Sequence, residues 1–113
     1  MAVSREHVSC HMERTVTVRA EINLFDGSRS GKTAGYKSGV RPNHFFEGQS
    51  SSIVGDIHFE GQDLLVLGGT CVAIVRFLYP EWFPLLVPGV TWRLHEGSRH
   101  VGDGRVLEVQ SGG

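Results

Sequence analysis

One short stretch of the chain, residues 26–35 (DGSRSGKTAG), contains the residue types of a phosphate-binding loop. A P-loop has four residues between its first glycine and its Gly-Lys-Ser/Thr sequence, because successive backbone N–H groups must wrap around a phosphate. Here only three residues separate Gly27 from Gly31. The residues that follow Lys32 and Thr33 include two glycines and a proline, which do not form the helix that such a loop opens. The spacing therefore predicts no nucleotide site.

A second group of chemically capable residues lies near the N-terminus. His7 and His11 have the i, i+4 spacing with which two imidazoles on one helical face can share zinc, and Cys10 lies between them. A structural zinc site needs a fourth ligand and a rigid backbone, and we predict a loose segment here. The sequence therefore predicts neither a metal site nor a cofactor.

No catalytic group can be assembled from the remaining residues. Asp56 and His58 share one strand face by parity, an arrangement that is found in surface pairs as well as in catalysis. No Ser-His-Asp or Cys-His arrangement can be placed from the spacing. The sequence predicts a noncatalytic protein.

Composition bounds the class of protein. The 113 residues suffice for one domain, and a net charge of −1 argues against strong nonspecific binding of nucleic acid. Cys10 and Cys71 lie in different settings, the first polar and the second apolar, and do not form a disulfide framework. With no signal-like N-terminus and no apolar run long enough for a membrane span, the predicted location is the cytoplasm, without membrane association.

Apolar and polar residues alternate along most of the chain, which predicts strands. The clearest example is residues 15–24, where one face carries Val16, Val18, Ala20, Ile22 and Leu24. We expect six or so short strands, with residues 26–39 as a flexible basic loop and Gly55 as a bulge. The pattern predicts an all-β barrel or sandwich over residues 14–110, with flexible segments at 1–13 and 111–113.

Three stretches resemble the C-terminal β-barrel domain of elongation factor Tu and related translational GTPases. They are VRPNHFF at 40–46, VAIVRFLYP at 72–80 and LHEGSRHVGDGRV at 94–106. The resemblance covers about residues 17–109 and implies a closed six-stranded antiparallel barrel with Greek-key connections. Gly102 and Gly104 are expected where a corner bends tightly or another chain approaches closely. The family's nucleotide-binding domain has no counterpart here, so GTP hydrolysis is not expected.

In that family one surface of the barrel contacts aminoacyl-tRNA through a His-Thr loop and a Glu-Gly-Gly turn. The matching segments here are the 26–39 loop and the 96–99 turn. We expect phosphate, 2′-hydroxyl or base contacts from these positions if the RNA surface is retained. The sequence departs from the family where Lys32 replaces the histidine, Ala34 the proline and Ser98 the second glycine. The RNA-binding candidates are Lys32, Thr33, Arg41, Glu96, Gly97 and Arg99.

Protein binding is the favoured prediction. In the strand at 70–78, one set of alternating residues fills the barrel and the other leaves aliphatic side chains outside, where an apolar patch on a free domain serves a partner or self-association. The following loop, residues 79–88, is rich in aromatic and aliphatic side chains. The candidates for a protein interface are Val72, Ile74, Leu78, Trp82 and Phe83.

Overall fold

The computed structural model describes residues 13–49, 51–80 and 86–111. This part of the chain is built from strands with a single helical turn. In chain order the elements are β1 (Glu13–Leu24), α1 (Gly27–Ser30), β2 (Tyr36–Lys37), β3 (Asn43–Phe46), β4 (Ile53–Phe59), β5 (Leu64–Leu65), β6 (Thr70–Pro80), β7 (Thr91–Glu96) and β8 (Arg99–Ser111). Within the described ranges, no helix is long and apolar enough to cross a membrane.

Six of these strands close into a barrel in the order β1-β6-β4-β3-β7-β8, and every neighbouring pair is antiparallel. The strands β3, β4 and β6 lie side by side in chain order, and β7 returns to lie beside β3. This order, β7-β3-β4-β6, is a Greek key. The predicted closed six-stranded antiparallel barrel is therefore confirmed. The short strands β2 and β5 form a separate two-stranded ladder.

Strict alternation in two of the three long strands, β1 and β6, fills much of the barrel. The predicted inward face of β1 is buried along its whole length, and β6 contributes the facing set. Side chains of successive residues point to opposite sides of a strand, so one set packs inside while the other covers the outside. The buried residues of the two strands are Val16, Val18, Ala20, Ile22 and Leu24 in β1, and Cys71, Ala73, Val75 and Phe77 in β6.

Two glycines of β8 lie where other strands approach closely, as the sequence predicts. A Cβ atom on Gly102 would overlap the backbone oxygen of Asn23 in β1. One on Gly104 would overlap the six-membered ring of Trp92 in β7. These positions therefore exclude any side chain because of packing, and neither glycine has a positive φ.

Gly55 was predicted to form a bulge, and this prediction is wrong. The register of β4 against β6 runs without a shift through the pair Gly55 and Phe77. The physical reason for glycine is again space, because a Cβ atom here would lie 2.9 Å from the carbonyl oxygen of Arg76 and 3.0 Å from the ring of Phe77.

The segment at 26–39 is more ordered than the predicted flexible loop. The side chain of Asp26 caps α1 by accepting a hydrogen bond from the backbone N–H of Arg29, at 3.0 Å. The turn ends at Gly31, whose φ of 76° is the left-handed conformation typical of a helix end. Tyr36 and Lys37 then pair with β5. A capped turn and a ladder replace the loop.

A hydrogen-bonded chain of three groups crosses the barrel interior at His44, which is fully buried. The indole Nε1–H of Trp92 donates to His44 Nδ1 at 3.0 Å, and His44 Nε2 lies 3.0 Å from the carbonyl oxygen of Gly55. Because an indole nitrogen only donates, Nδ1 must accept and Nε2 carries the proton that bonds to Gly55. Burial lowers the pKa of His44 to about 4, so the imidazole is neutral near pH 7.

Aromatic rings surround this chain. Trp92 stacks on Phe46 with 5.3 Å between ring centroids, and Phe77 meets Trp92 edge-on at 5.4 Å. His44 also contacts Phe77 edge-on at 5.0 Å. The centre of the barrel is therefore a packed aromatic cluster around one neutral imidazole.

The fit between Gly104 and Trp92 gives a first prediction. We expect Gly104→Ala to lower the free energy of unfolding by about 2 kcal/mol or more, because the new methyl group overlaps the indole ring. The control is Glu108→Ala, an exposed change in the same strand, which should leave stability unchanged. In a Trp92→Phe background the glycine substitution should cost measurably less. Urea denaturation measures the unmodified chain and the four variants, and equal costs of the glycine substitution in both backgrounds would contradict the assignment.

His44 gives a second prediction, in the dependence of stability on pH. We expect the free energy of unfolding to fall as the pH drops from about 6.5 to about 4, by about 3 kcal/mol in all. In that window the unfolded state binds the proton that the folded state excludes. Below the folded-state pKa both states are protonated, and this residue causes no further loss.

The matched control for the pH experiment is His44→Gln, which keeps a donor and an acceptor but does not titrate. Urea denaturation of both chains at about pH 7 and about pH 4.5 isolates the histidine contribution. The stability difference between the two chains should shrink or reverse at the lower pH. A difference that is constant with pH would show that His44 is not the titrating group.

Candidate functional site

The structure brings together five of the six residues that were predicted to contact RNA. Lys32 Nζ lies 3.0 Å from a carboxylate oxygen of Glu96, and Arg99 Nη1 donates to the carbonyl oxygen of Gly31 at 3.4 Å. Thr33 is exposed beside them, and Gly97 forms the turn between β7 and β8 with a φ of 62°. The 26–39 segment and the 96–99 turn therefore form one surface, which we call the Lys32–Glu96 surface.

The charge of Lys32 is already used within this surface. Only 12% of its side chain is exposed, and its ammonium group also lies 4.8 Å from the centroid of the Tyr36 ring. Burial raises the pKa of Tyr36, and the nearby Glu96 carboxylate raises it further, so the phenol stays neutral. The ion pair and the ring contact together leave Lys32 little free charge for a phosphate.

The geometry of residues 26–35 differs from that of a P-loop. Gly31 closes α1, and its backbone N–H bonds to the carbonyl oxygen of Gly27. Lys32 and Thr33 therefore follow the carbonyl end of a helical turn. In a P-loop the equivalent residues begin a helix, with backbone N–H groups facing the phosphate.

Of the predicted protein-interface residues on β6, Val72 and Ile74 are only half-buried on the outer face. A bidentate ion pair joins the strands on either side of them. Arg19 of β1 bonds to Glu60, just beyond β4, through Nε at 2.9 Å and Nη2 at 3.1 Å. Because Ile74 pairs with Arg19 and the carbonyl of Val72 accepts from the N–H of Glu60, this ion pair crosses β6 beside both aliphatic side chains.

The most exposed aliphatic side chain of β6 lies nearer the end of the strand, and the other exposed aliphatic residues of the described ranges outside β4 and β6 are Leu64, Val66 and Val87. Leu78 is 43% exposed, and its cross-strand neighbour Val54 on β4 is 56% exposed. We call these two residues the Val54–Leu78 patch. Val54 was not among the sequence-based candidates, because the register between β4 and β6 is not visible in the sequence. Trp82 and Phe83 lie outside the described residues.

Arg41, the sixth predicted RNA contact, lies next to this patch. Its guanidinium lies 3.9 Å from Asp56 Oδ2, and the guanidinium of Arg76 donates to the same oxygen at 3.1 Å. The other carboxylate oxygen is 3.7 Å from His58 Nε2. We call Arg41, Asp56 and Arg76 the two-arginine cluster. It borders a groove of about 280 Å³ that also includes the Val54–Leu78 patch.

A larger groove, of about 560 Å³, lies on the outer face of β3, β7 and β8. Phe45 forms its apolar part, and Glu47, Arg93 and Asp103 supply charges of both signs. Its charged side chains carry no excess positive charge, and every buried polar side-chain atom in its lining has a partner. The arrangement favours no particular ligand.

The histidines and carboxylates that the sequence analysis considered for chemistry lie in different parts of the chain. Asp56 and His58 are neighbours, as parity predicts, and they lie beside the guanidiniums of Arg41 and Arg76. No group of three or more metal-binding side chains occurs in the described ranges, and His7, Cys10 and His11 lie outside them.

Comparisons with known proteins identify no relative of this chain. Neither a scan against protein-family models nor a search of curated proteins returns a match for this chain. The resemblance to the elongation factor Tu barrel therefore stays a prediction from the residues quoted above.

Proposed function

We propose that the chain is a noncatalytic binding module, similar to the C-terminal barrel of elongation factor Tu, that acts by binding a protein partner or a second copy of itself. The observation that carries the proposal is the Val54–Leu78 patch, two large aliphatic side chains paired and exposed on the outside of the barrel. Two adjacent exposed aliphatic side chains give such a module an apolar surface that a partner can cover.

The architecture restricts binding to the outer surface. The barrel is closed, so its six strands offer no edge for strand addition. Its interior is filled by one continuous core that includes the aromatic cluster around His44. Small barrels whose interiors are packed in this way leave no cavity for a ligand. A partner must therefore contact the outward-facing residues and the loops.

We further propose a cytoplasmic, translation-related role, following the family resemblance. Two features support the compartment. Cys71 is a free, buried thiol, as is usual where thiols stay reduced. Exposed charges of both signs, some of them paired across strands as Arg105 is with Glu21 at 3.2 Å, also give a surface that suits an aqueous compartment.

The Val54–Leu78 patch gives a third prediction. We expect the double substitution Val54→Lys and Leu78→Lys to weaken self-association or partner binding by at least about tenfold, because each lysine places a charge in a desolvated contact. Sedimentation velocity measures the oligomeric state, and an affinity capture from native extract with mass spectrometry measures a stoichiometric partner.

The matched control is Thr91→Lys, which adds the same charge at an exposed position of β7, away from the patch. It should leave both measurements unchanged. A complex that survives the double substitution, or one that is lost equally in the control, would contradict the assignment of the interface.

RNA binding is the second candidate, and one observation favours it. The two segments that the family resemblance assigns to tRNA contact lie side by side in the Lys32–Glu96 surface, with Arg99 exposed. It ranks below protein binding because Lys32 is paired with Glu96 and the net charge of −1 gives little electrostatic attraction for phosphates.

A fourth prediction tests this candidate. A module that binds RNA through the Lys32–Glu96 surface should lose affinity on Arg99→Gln, with the salt dependence reduced by about one counterion. The matched control is Arg105→Gln, another exposed arginine in β8, which should not change binding. Mobility-shift titration with total tRNA at two salt concentrations measures both. Equal loss in the two variants would indicate nonspecific attraction and reject the surface.

A further inference from the structure

Asp56 is nearly buried although it belongs to the outward-facing residues of β4. Its neighbours on the same face, Val54 and His58, are exposed, whereas Asp56 is 6% exposed. The cause is its position between two arginines. Arg76 on β6 pairs directly with Asp56. On the other side, the bridge from Val40 to Ile57 extends the β3–β4 register, which places Arg41 opposite Asp56.

The Asp56 carboxylate accepts hydrogen bonds from only a few of the N–H donors around it. The two guanidiniums together have about ten N–H donors. In the described part of the chain, the contact from Arg76 to Asp56 Oδ2 at 3.1 Å is the only one of these that has hydrogen-bond length, since Arg41 approaches the carboxylate no closer than 3.9 Å. The arginine side chains are 67% exposed at Arg41 and 58% exposed at Arg76. Most of their donors therefore face solvent.

The cluster also has unbalanced charge and an unpartnered atom. Two positive guanidiniums face one negative carboxylate, which leaves an excess of one positive charge at the groove. The buried Oδ1 atom of Asp56 has no hydrogen-bond partner in the described part of the chain, and His58 Nε2 is 3.7 Å away. Buried carboxylate oxygens are usually satisfied, so this acceptor leaves a place for a hydrogen-bond donor, such as a backbone N–H of a bound segment.

The groove beside the cluster is of a size for side chains. Its volume of about 280 Å³ is just below the roughly 300–1,000 Å³ typical of small-molecule sites. Thr15, Val54 and Leu78 form the part that lies away from the arginines. A binding partner therefore contacts the guanidinium groups of Arg41 and Arg76 on one side of the groove and the Val54–Leu78 patch on the other.

We propose that this groove binds an acidic segment of a partner protein, in which an aspartate or glutamate lies next to a large aliphatic residue. The partner carboxylate accepts hydrogen bonds from Arg41 and Arg76, whose planar guanidiniums match a carboxylate in two-bond geometry. The adjacent aliphatic side chain covers the Val54–Leu78 patch. The inference rests on the proposed function, since it names the chemistry of the partner for the same outer surface.

An acidic peptide fits the groove better than RNA does. A nucleic acid needs positive charge along several phosphates, and the cluster has one excess charge beside an apolar patch. Single-stranded RNA also uses exposed aromatic faces for stacking, and the ring in this groove, Phe77, is fully buried. Charge complementarity and the aliphatic border therefore point to the same kind of partner.

The experiment is a selection of phage-displayed random peptides on the whole chain, followed by fluorescence anisotropy with the most enriched peptide. We expect enrichment of peptides with aspartate or glutamate beside leucine, isoleucine or valine. Arg41→Gln and Arg76→Gln should each weaken the selected peptide by about tenfold, the size of one charge-assisted hydrogen bond. The matched control is Arg105→Gln, which removes an arginine of comparable exposure from a cross-strand pair elsewhere on the barrel.

A variant with the opposite expected sign separates binding from a purely structural role. Asp56→Asn removes the competing carboxylate and keeps the size of the side chain, so the acidic peptide should bind more tightly than to the unmodified chain. A merely structural cluster would give weaker or unchanged binding in this variant. Thermal unfolding of each variant shows that the barrel remains folded.

The remaining outcomes each overturn a different statement. Enriched peptides that are aliphatic but not acidic, and that depend on Val54 and Leu78, would reject the acidic partner and leave the proposed function intact. Acidic peptides that bind all arginine variants equally would place their site elsewhere. No enriched peptide, together with tRNA binding that is lost in Arg41→Gln and Arg76→Gln, would reject both the inference and the protein-binding proposal.

Discussion

The hydrogen-bonded chain from Trp92 through His44 to the carbonyl of Gly55 is the interaction on which the barrel depends. Its three groups lie on β7, β3 and β4, which are neighbours in the barrel. Each group is buried, and a buried polar atom that loses its partner costs about 1–3 kcal/mol. The indole ring then occupies the space at Gly104 of β8, and the missing side chain of Gly55 admits Phe77 of β6. One polar chain thus restricts the register of five of the six strands.

Cross-strand ion pairs cover the outside, and one of them differs from the others. In the pairs of Arg19 with Glu60 and of Arg105 with Glu21, both side chains are 38–50% exposed. Exposed pairs of this kind contribute about 0–1 kcal/mol each, so they favour solubility more than stability. Asp56 is different, because its side chain is 8% exposed and two arginines flank it. Burial of the Asp56 carboxylate carries a desolvation penalty that the exposed ion pairs do not have. This cluster therefore differs in energy from the other ion pairs on the surface.

The sequence predicts the fold more completely than it predicts the candidate functional sites. Strict alternation predicts the inward face of β1, and a resemblance over most of the chain implies the closed barrel. Both depend on local pattern and chain order. The role of Gly55 depends instead on which residue faces it across the barrel, and single-strand patterns do not contain that information. The same limit explains why Val54 was missed, although Leu78 beside it was predicted to face outward.

The two candidate surfaces differ in what they leave unsatisfied. At the Lys32–Glu96 surface, the ammonium group has a carboxylate at 3.0 Å and an aromatic ring beneath it, so its charge is balanced inside the protein. At the two-arginine cluster, a single carboxylate serves two guanidiniums and retains an unpartnered oxygen of its own. A closed barrel with a filled interior can bind a partner only through its outer surface, where unbalanced charge and exposed apolar side chains favour contact. An unbalanced positive charge and exposed aliphatic side chains occur in the same groove, beside Val54 and Leu78. This coincidence is the physical argument for a docking site there.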